Sequence, residues 1–321
     1  MVDEKQKRLI KKLRKELGPT IINALEDPMV IEIMLNSDGS LWVEQIGKDL
    51  QLVDQMSAPN AESLLGTIAD SLHTTVTRDN PILEGELPID GSRFEGLLPP
   101  IVANPTFTIR KKPSIVFSLN KYIEQEIMTA SQQAMIIEAI QNRANILVVG
   151  GTGSGKTTLT NGIIDAISSI HPNDRLVIIE DTAEIQCTAK NAVILRASVN
   201  VDMLCLLRAT MRLRPDRILV GEVRGAEALA LLKSWNTGHP GGVATIHANG
   251  AYAGLIRLEQ LIAEAGTGIK MTPLIAEAID LIVVIEKHNG SRRIKEIAKV
   301  TGFQDNEYNV TYYSNLSDSI N

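Results

Sequence analysis

Asn145-Ile146-Leu147-Val148-Val149-Gly150-Gly151-Thr152-Gly153-Ser154-Gly155-Lys156-Thr157-Thr158 reads as a buried strand that runs into a phosphate-binding loop and then into a helix. Gly150 and Gly155 stand at the spacing G-x-x-x-x-G-K-[ST], where backbone N–H groups must turn inward on phosphates and a side chain would obstruct them. Lys156 is set to reach the β- and γ-phosphates, Thr157 to hold Mg²⁺, and the helix that begins there points its positive end at the anion. The stretch Gly150, Gly151, Thr152, Gly153, Ser154, Gly155, Lys156, Thr157 and Thr158 is therefore the candidate nucleotide contact, with ATP and Mg²⁺ as the expected ligands.

Outward from this stretch, apolar strands alternate with helical patterns from Ser131 onward. Ile146 to Val149, Leu176 to Glu180, Ile218 to Gly221, Val243 to His247 and Leu281 to Glu286 are apolar enough to be buried on both faces. That predicts an α/β core with a mostly parallel sheet covered by helices. On the amino-terminal side the pattern is different. Val30 to Asn36 and Leu41 to Ile46 flank the turn residues Ser37-Asp38-Gly39-Ser40, Asn60 to His73 is helical, and Arg93 to Leu98 and Phe107 to Arg110 read as strands, an α+β arrangement with a small antiparallel sheet. Lys111-Lys112-Pro113 reads as a hinge. The expected domains are an N-terminal α+β domain over 1–112, a linker over 113–130, the nucleotide-binding core over 131–304 and a polar tail over 305–321.

Lys5 to Glu16 carries seven basic residues, with Leu9, Ile10, Leu13 and Leu17 near helical spacing. It reads as a basic amphipathic helix ended by Gly18-Pro19. Such a helix either packs one thin stripe on its own domain or lies against an anionic membrane or a partner protein.

Turnover needs carboxylates near the γ-phosphate, and two strand ends offer them: Glu180-Asp181-Thr182-Ala183-Glu184 and Glu222. In an open parallel sheet, ligands sit at the carboxyl ends of strands, so these acids emerge on the rim of the phosphate loop. One can hold Mg²⁺ through water while another polarises the attacking water; singly, each also suits a turn cap. Positive charge is offered by Arg208, Arg212, Arg214 and Arg224 in the core and by Arg93 and Arg110 in the first domain, which reach phosphate only if that domain, from the same or a neighbouring subunit, folds over the site. In Thr237 to His247, two histidines flank a Gly-rich bend that enters a strand. His247 should leave on the rim of Glu222, where it can sense the γ-phosphate.

The 321 residues suffice for two domains, and 44% apolar content suits a globular protein. No run approaches the roughly 20 apolar residues that cross a bilayer, and no signal peptide follows the charged start, so a cytosolic location is expected. Cys187 and Cys205 are too few for a disulfide framework and read as small core residues, and no structural metal is expected. A net charge of −6 and 3% aromatic content do not favour direct nucleic-acid binding.

The four blocks Gly150 to Thr157, Glu180 to Glu184, Leu213 to Glu222 and His239 to His247, in this order, resemble the Walker A loop, Asp box, Walker B segment and His box of the secretion-ATPase superfamily. Gly85 to Ile89, Arg93-Phe94-Glu95-Gly96, Leu98-Pro99-Pro100, Phe107-Thr108-Ile109-Arg110, Met211 to Arg217 and Trp235 to Gly242 look most like the conjugal-transfer ATPases of type IV secretion. The likeness runs from about Lys12 to Tyr308. It implies a RecA-like P-loop core, a two-layered homohexamer and nucleotide between the two domains. By family pattern Glu222 activates water, Glu180 and Glu184 support metal and water, and His247 with His239 reads the γ-phosphate state. Arg93 and Arg110 would come from the N-terminal layer, and Arg208 or Arg212 would add a phosphate contact. The implied function is ATP hydrolysis that powers mating-pair or pilus assembly or substrate transfer, alongside other type IV secretion components on the cytosolic face of the inner membrane. Two other readings stay open: an ATP-controlled assembly platform with little turnover, and a DNA-stimulated translocase. The four-cysteine zinc insertion of type II secretion relatives is missing, and Gly225 stands where pilus-retraction relatives typically carry aspartate.

Overall fold

The computed structural model describes residues 4–46, 48–112, 116–198, 200–266, 271–288 and 291–313, which fall into two compact units, 1–115 and 116–321. Pro113 of the expected hinge and residues 314–321 of the expected tail lie outside the described residues.

The first unit contains helix α1 (Glu4–Glu26), strands β1 (Val30–Leu35), β2 (Ser40–Gln45) and β3 (Gln51–Gln55), helix α2 (Ala58–Ser71), and strands β4 (Ile82–Glu86), β5 (Arg93–Leu97) and β6 (Thr106–Arg110). Its six strands are antiparallel throughout, in the order β3-β2-β1-β6-β5-β4. Period-two alternation turns Ile33, Leu41, Phe94, Phe107 and Ile109 to one face, where Leu13, Leu17 and Ile21 of α1 and Leu64, Leu65 and Ile68 of α2 complete the core. The basic first stretch of helix α1 ends at Gly18-Pro19 as expected, and a second helical stretch follows the break. The backbone leaves helical geometry at Gly18 (φ 76°, ψ 168°), but the helix resumes and runs to Glu26, because Leu17 and Ile21 on either side of the break bury against the same sheet.

The second unit contains α3 (Leu119–Glu124), α4 (Ala130–Gln141), β7 (Ile146–Val149), α5 (Lys156–Ile170), β8 (Leu176–Glu180), β9 (Ala192–Arg196), α6 (Met203–Thr210), β10 (Arg217–Val220), α7 (Glu227–Asn236), β11 (Val243–Ile246), α8 (Ala251–Glu264), α9 (Thr272–Ala278), β12 (Leu281–His288), β13 (Ser291–Gln304) and β14 (Glu307–Tyr313). The sheet order is β14-β13-β12-β7-β11-β10-β8-β9. The run from β12 to β9 is parallel, and β13 and β14 extend it antiparallel. Alternate residues of the buried strands supply two cores. Ile146, Val148, Leu219 and Val283 meet α3, α4 and α5 on one face, and Leu147, Val149, Ile218 and Val284 meet α6 to α9 on the other. This is the α/β core with helices on both faces that the strand pattern predicted.

Two expected boundaries change. Residues 119–124 of the expected linker form α3, whose Leu119 and Tyr122 pack into the second core. The chain after residue 304 does not begin a tail, since Glu307–Tyr313 pairs with β13 and Tyr308 is buried. Of the cysteines, Cys187 is half-buried against the core on the α3–α5 face, as the core reading expects, while Cys205 departs from it and is exposed.

Candidate active site

The loop after β7 is shaped by close approach. A Cβ on Gly150 would collide with the Ile285 carbonyl and with Ser154 Oγ, and Gly155 enters α5 with φ 97°, a conformation that only glycine adopts without strain. Lys156, nearly buried at 8% exposure, donates from Nζ to the carbonyls of Gly150 and Gly151, each at 2.9 Å. The same Nζ stands 3.3 Å from Nδ1 and 3.4 Å from Nε2 of His247. The Ser154 hydroxyl is buried with no protein hydrogen-bond partner among the described residues. A desolvated donor of this kind, beside a cationic amine and a helix N-terminus, fits a phosphate oxygen.

Because β7, β8, β10 and β11 are parallel, their carboxyl ends share one rim, and the acids collect there. Thr157 Oγ1 donates to Glu184 Oε2 at 3.1 Å. Glu180, at the end of β8, is 3% exposed, and its Oε2 accepts from the backbone N–H groups of Glu184 (3.0 Å) and Ile185 (2.9 Å). Burial raises the Glu180 carboxyl above the usual range, against the pull of those two N–H donors and the Arg196 guanidinium. Glu222 follows β10. Its register is fixed by Gly221 N–H to the Ile179 carbonyl (2.8 Å) and by Thr245 Oγ1 to the Gly221 carbonyl (2.7 Å). One carboxylate oxygen lies 2.7 Å from His247 Nε2, and the other accepts from Arg224 Nη2 at 2.5 Å. Arg224 Nη1 in turn reaches Asp181 at 2.9 Å. Lys156, His247, Glu222, Arg224 and Asp181 thus form one continuous polar chain along the rim. Thr157, with Glu184 and Glu180 behind it, is the oxygen set that would hold Mg²⁺ directly or through water. Bound there, the ion would neutralise charge building on the phosphates.

Other candidates lie elsewhere. His239 precedes β11 and donates from Nδ1 to the Pro215 carbonyl at 2.9 Å, at the amino end of the strands. It does not line this chain's own phosphate loop, which corrects its expected pairing with His247. Arg208 sits in the last turn of α6. Arg212 precedes Leu213, whose carbonyl accepts from Arg175 (2.8 Å) at the amino end of β8. Both arginines are therefore on the far rim from the loop of their own chain, so the phosphate contact that the resemblance implies for one of them is not made within the chain. Arg93 and Arg110 belong to the first unit, where they are directly opposed on β5 and β6. Sequence reasoning passed over Lys287 and Arg292, which face each other across β12 and β13 beside the phosphate loop; their cationic type in a polar hairpin gave no signal of that proximity.

A parallel sheet with a phosphate loop and an acidic carboxyl-end rim defines a P-loop ATPase. The chain belongs to the Type II/IV secretion system protein family, whose model matches residues 15–307. It is 51% identical over 311 residues to the conjugal transfer protein TrbB of Rhizobium radiobacter, covering 97% of this chain and 96% of that protein. To a probable conjugal transfer protein TrbB of Sinorhizobium fredii it is 53% identical over 303 residues, covering 94% and 93% respectively. The fold is that of the Legionella pneumophila ATPase DotB, at TM-score 0.63 and 21% identity over 85% of this chain and 78% of that one. Among the described residues no helix is long and apolar enough to cross a membrane, and no cluster of three or more His, Cys, Asp or Glu could hold a metal ion.

Proposed function

We propose that this ATPase is the motor of a conjugative type IV secretion system, working as a homohexamer that hydrolyses ATP to power mating-pair or pilus assembly or substrate transfer. The observation that carries the reading is Glu222, which has one oxygen bound by Arg224 and the other buried within 2.7 Å of His247 Nε2, itself beside Lys156, but without a hydrogen bond among the described residues: a carboxylate anchored on one oxygen with the other left to accept is suited to orient and polarise water. Near-full-length similarity to conjugal transfer proteins supports the secretion setting. In this reading Lys156 and Ser154 hold phosphate, Thr157 takes Mg²⁺ with Glu180 and Glu184 behind it, and His247 relays the state of the γ-phosphate to Glu222. The motor associates with other secretion components at the cytosolic face of the inner membrane and does not itself bind nucleic acid.

The test is Glu222→Gln in a conjugation assay. The amide keeps the shape and loses the base, so ATP should still bind while hydrolysis falls by roughly 10²–10⁴-fold, the usual contribution of general-base catalysis, and DNA transfer should stop. Retained transfer with hydrolysis gone would instead mean an ATP-controlled platform. A mass measurement in solution, with and without ATP, tests the ring.

Arg93 and Arg110 supply the further positive charge that phosphoryl transfer needs. Their opposed positions on β5 and β6 give two guanidinium groups on one face of the sheet. Arg110→Ala should leave ATP affinity within about threefold and slow turnover toward the roughly 10²–10³-fold cost of losing one transition-state donor. Unchanged steady-state turnover would assign the pair to sheet structure alone.

A further inference from the structure

We infer that the β12–β13 hairpin is a second nucleotide-binding element, in which Arg292, supported by Lys287, binds the α- and β-phosphates from the side of the loop opposite Glu222. Four observations converge on this. A Cβ built on Gly155 would lie 3.1 Å from Cδ and 3.3 Å from Nε of Arg292, and one built on Gly153 would lie 3.4 Å from Nζ of Lys287. The two cations are therefore in van der Waals reach of the loop backbone that cradles phosphate. They are also cross-strand partners, Lys287 opposite Arg292, and the same face carries the next pair, Ile285 opposite Ile294. The Ile285 side chain comes within 3.6 Å of that Gly155 Cβ, and its carbonyl abuts Gly150, so the whole face is turned to the loop.

The position is held by the fold rather than by the hairpin tip. Ile294 N–H donates to the Ile127 carbonyl at 2.7 Å, and the buried Gln132 side chain donates to the Ile294 carbonyl at 3.3 Å. Gln132 is itself locked in the capping box that begins α4. Arg292 is thus two residues from an anchored point of the strand.

The sheet order decides which part of the nucleotide the pair meets. Strands β11, β10 and β8, with His247, Glu222 and Glu184 at their ends, lie on one side of β7, and β12 and β13 lie on the other. A phosphate chain whose γ end points to Glu222 leaves its α-phosphate and nucleoside on the β12 side. A planar guanidinium there pairs with the diphosphate that ATP and ADP share.

The inference rests on nucleotide binding by the phosphate loop and not on the secretion role. It is tested on the full-length protein by titrating fluorescent ATP and ADP analogues into Arg292→Ala, Arg292→Lys and Lys287→Ala. Arg292→Ala should weaken both nucleotides by the same factor, about tenfold, leaving their affinity ratio unchanged. Lys287→Ala should weaken both less, and Arg292→Lys should recover part of the loss. The rise in melting temperature on adding ADP should shrink in Arg292→Ala, while the nucleotide-free melting temperature stays near that of the parent. Unaltered affinity for both nucleotides in Arg292→Ala would overturn the inference, as would a loss confined to ATP, which would put the arginine at the γ-phosphate. Lys156→Ala in the same titration separates this failure from a failure of the loop assignment.

Discussion

Lys156→Ala should reduce ATP turnover by at least about a hundredfold, the scale on which one preorganised charge-stabilising donor acts, and should remove most nucleotide affinity. Lys156 is 8% exposed, and its ammonium is already held by two loop carbonyls at 2.9 Å. Its charge is therefore desolvated and aimed before any ligand arrives, which is what makes a donor effective at a phosphate. Alanine removes the charge, leaves the Gly150 and Gly151 carbonyls without that donor and takes away the group next to His247. Phosphate release and analogue binding, measured together, check the result. Turnover within about twofold of the parent would remove Lys156 from the active site.

The second large effect is on stability. Arg217, the first residue of β10, is 0% exposed and donates Nε to Asp174 (2.7 Å), Nη1 to the Gly241 carbonyl (2.9 Å) and Nη2 to the Ile140 carbonyl (3.3 Å). It ties together the end of α4, the approach to β8 and the turn that launches β11. Arg217→Met keeps much of the volume but strands Asp174 with only Arg143 (2.6 Å). Breaking a buried pair from one side costs about 3–5 kcal/mol, which for a unit of this size lowers the melting temperature by roughly 10 °C. The effect should depend on pH. Burial pushes the Asp174 carboxyl up, but hydrogen bonds and charge from Arg217 and Arg143 outweigh it and hold the group below its ordinary value. A carboxylate depressed in the folded state stabilises above its unfolded pKa of about 3.9. That stabilisation fades as pH falls through the lower native value. Thermal melts of the parent and Arg217→Met should therefore differ most near neutrality and converge in acid. A constant gap across that range would mean that packing, not the ion pair, carries the loss.

The strand, loop and helix around Lys156 were legible because each has a local cause: four consecutive apolar residues in β7, glycines at the two closest approaches and a helix that needs no distant partner. Glu180, Glu222 and His247 followed, since parallel strands put their carboxyl ends on one rim. The two-histidine bend misled because its members stand on opposite ends of β11. A strand of four residues spans roughly 13 Å at 3.3 Å per residue, so Gly-rich flanks at both ends resembled one site. Strands β3, β13 and β14 escaped for another reason. All five residues of β3 are exposed, and β13 sets Arg292, Arg293, Lys295, Glu296 and Lys299 among the buried Ile294, Ile297, Ala298 and Val300. β3 and β14 are edge strands and β13 is the strand that β14 pairs with; all three are defined by the neighbours they pair with, and neither plain apolar periodicity nor turn chemistry marks them. Arg292 was invisible for the same reason: only the long-range pairing of β12 with β7 and β13 brings it to a loop more than a hundred residues earlier.

The first helix carries its own lesson about attachment. Leu13, Leu17 and Ile21 are spent inside the first unit at 0–2% exposure, while Lys7, Arg8, Lys11, Lys12, Arg14 and Lys15 look outward. Among the described residues of this helix, Leu9 and Ile22 also pack against that unit's core, so its apolar stripe is turned inward rather than toward lipid tails. Any grip of this segment on a bilayer would be ionic, made with anionic headgroups across a Debye length and loosened by brine rather than by detergent. Trimming the segment would also uncover Leu13's seat in the core, so reversing the sign of the outward lysines probes adhesion without unpicking the fold.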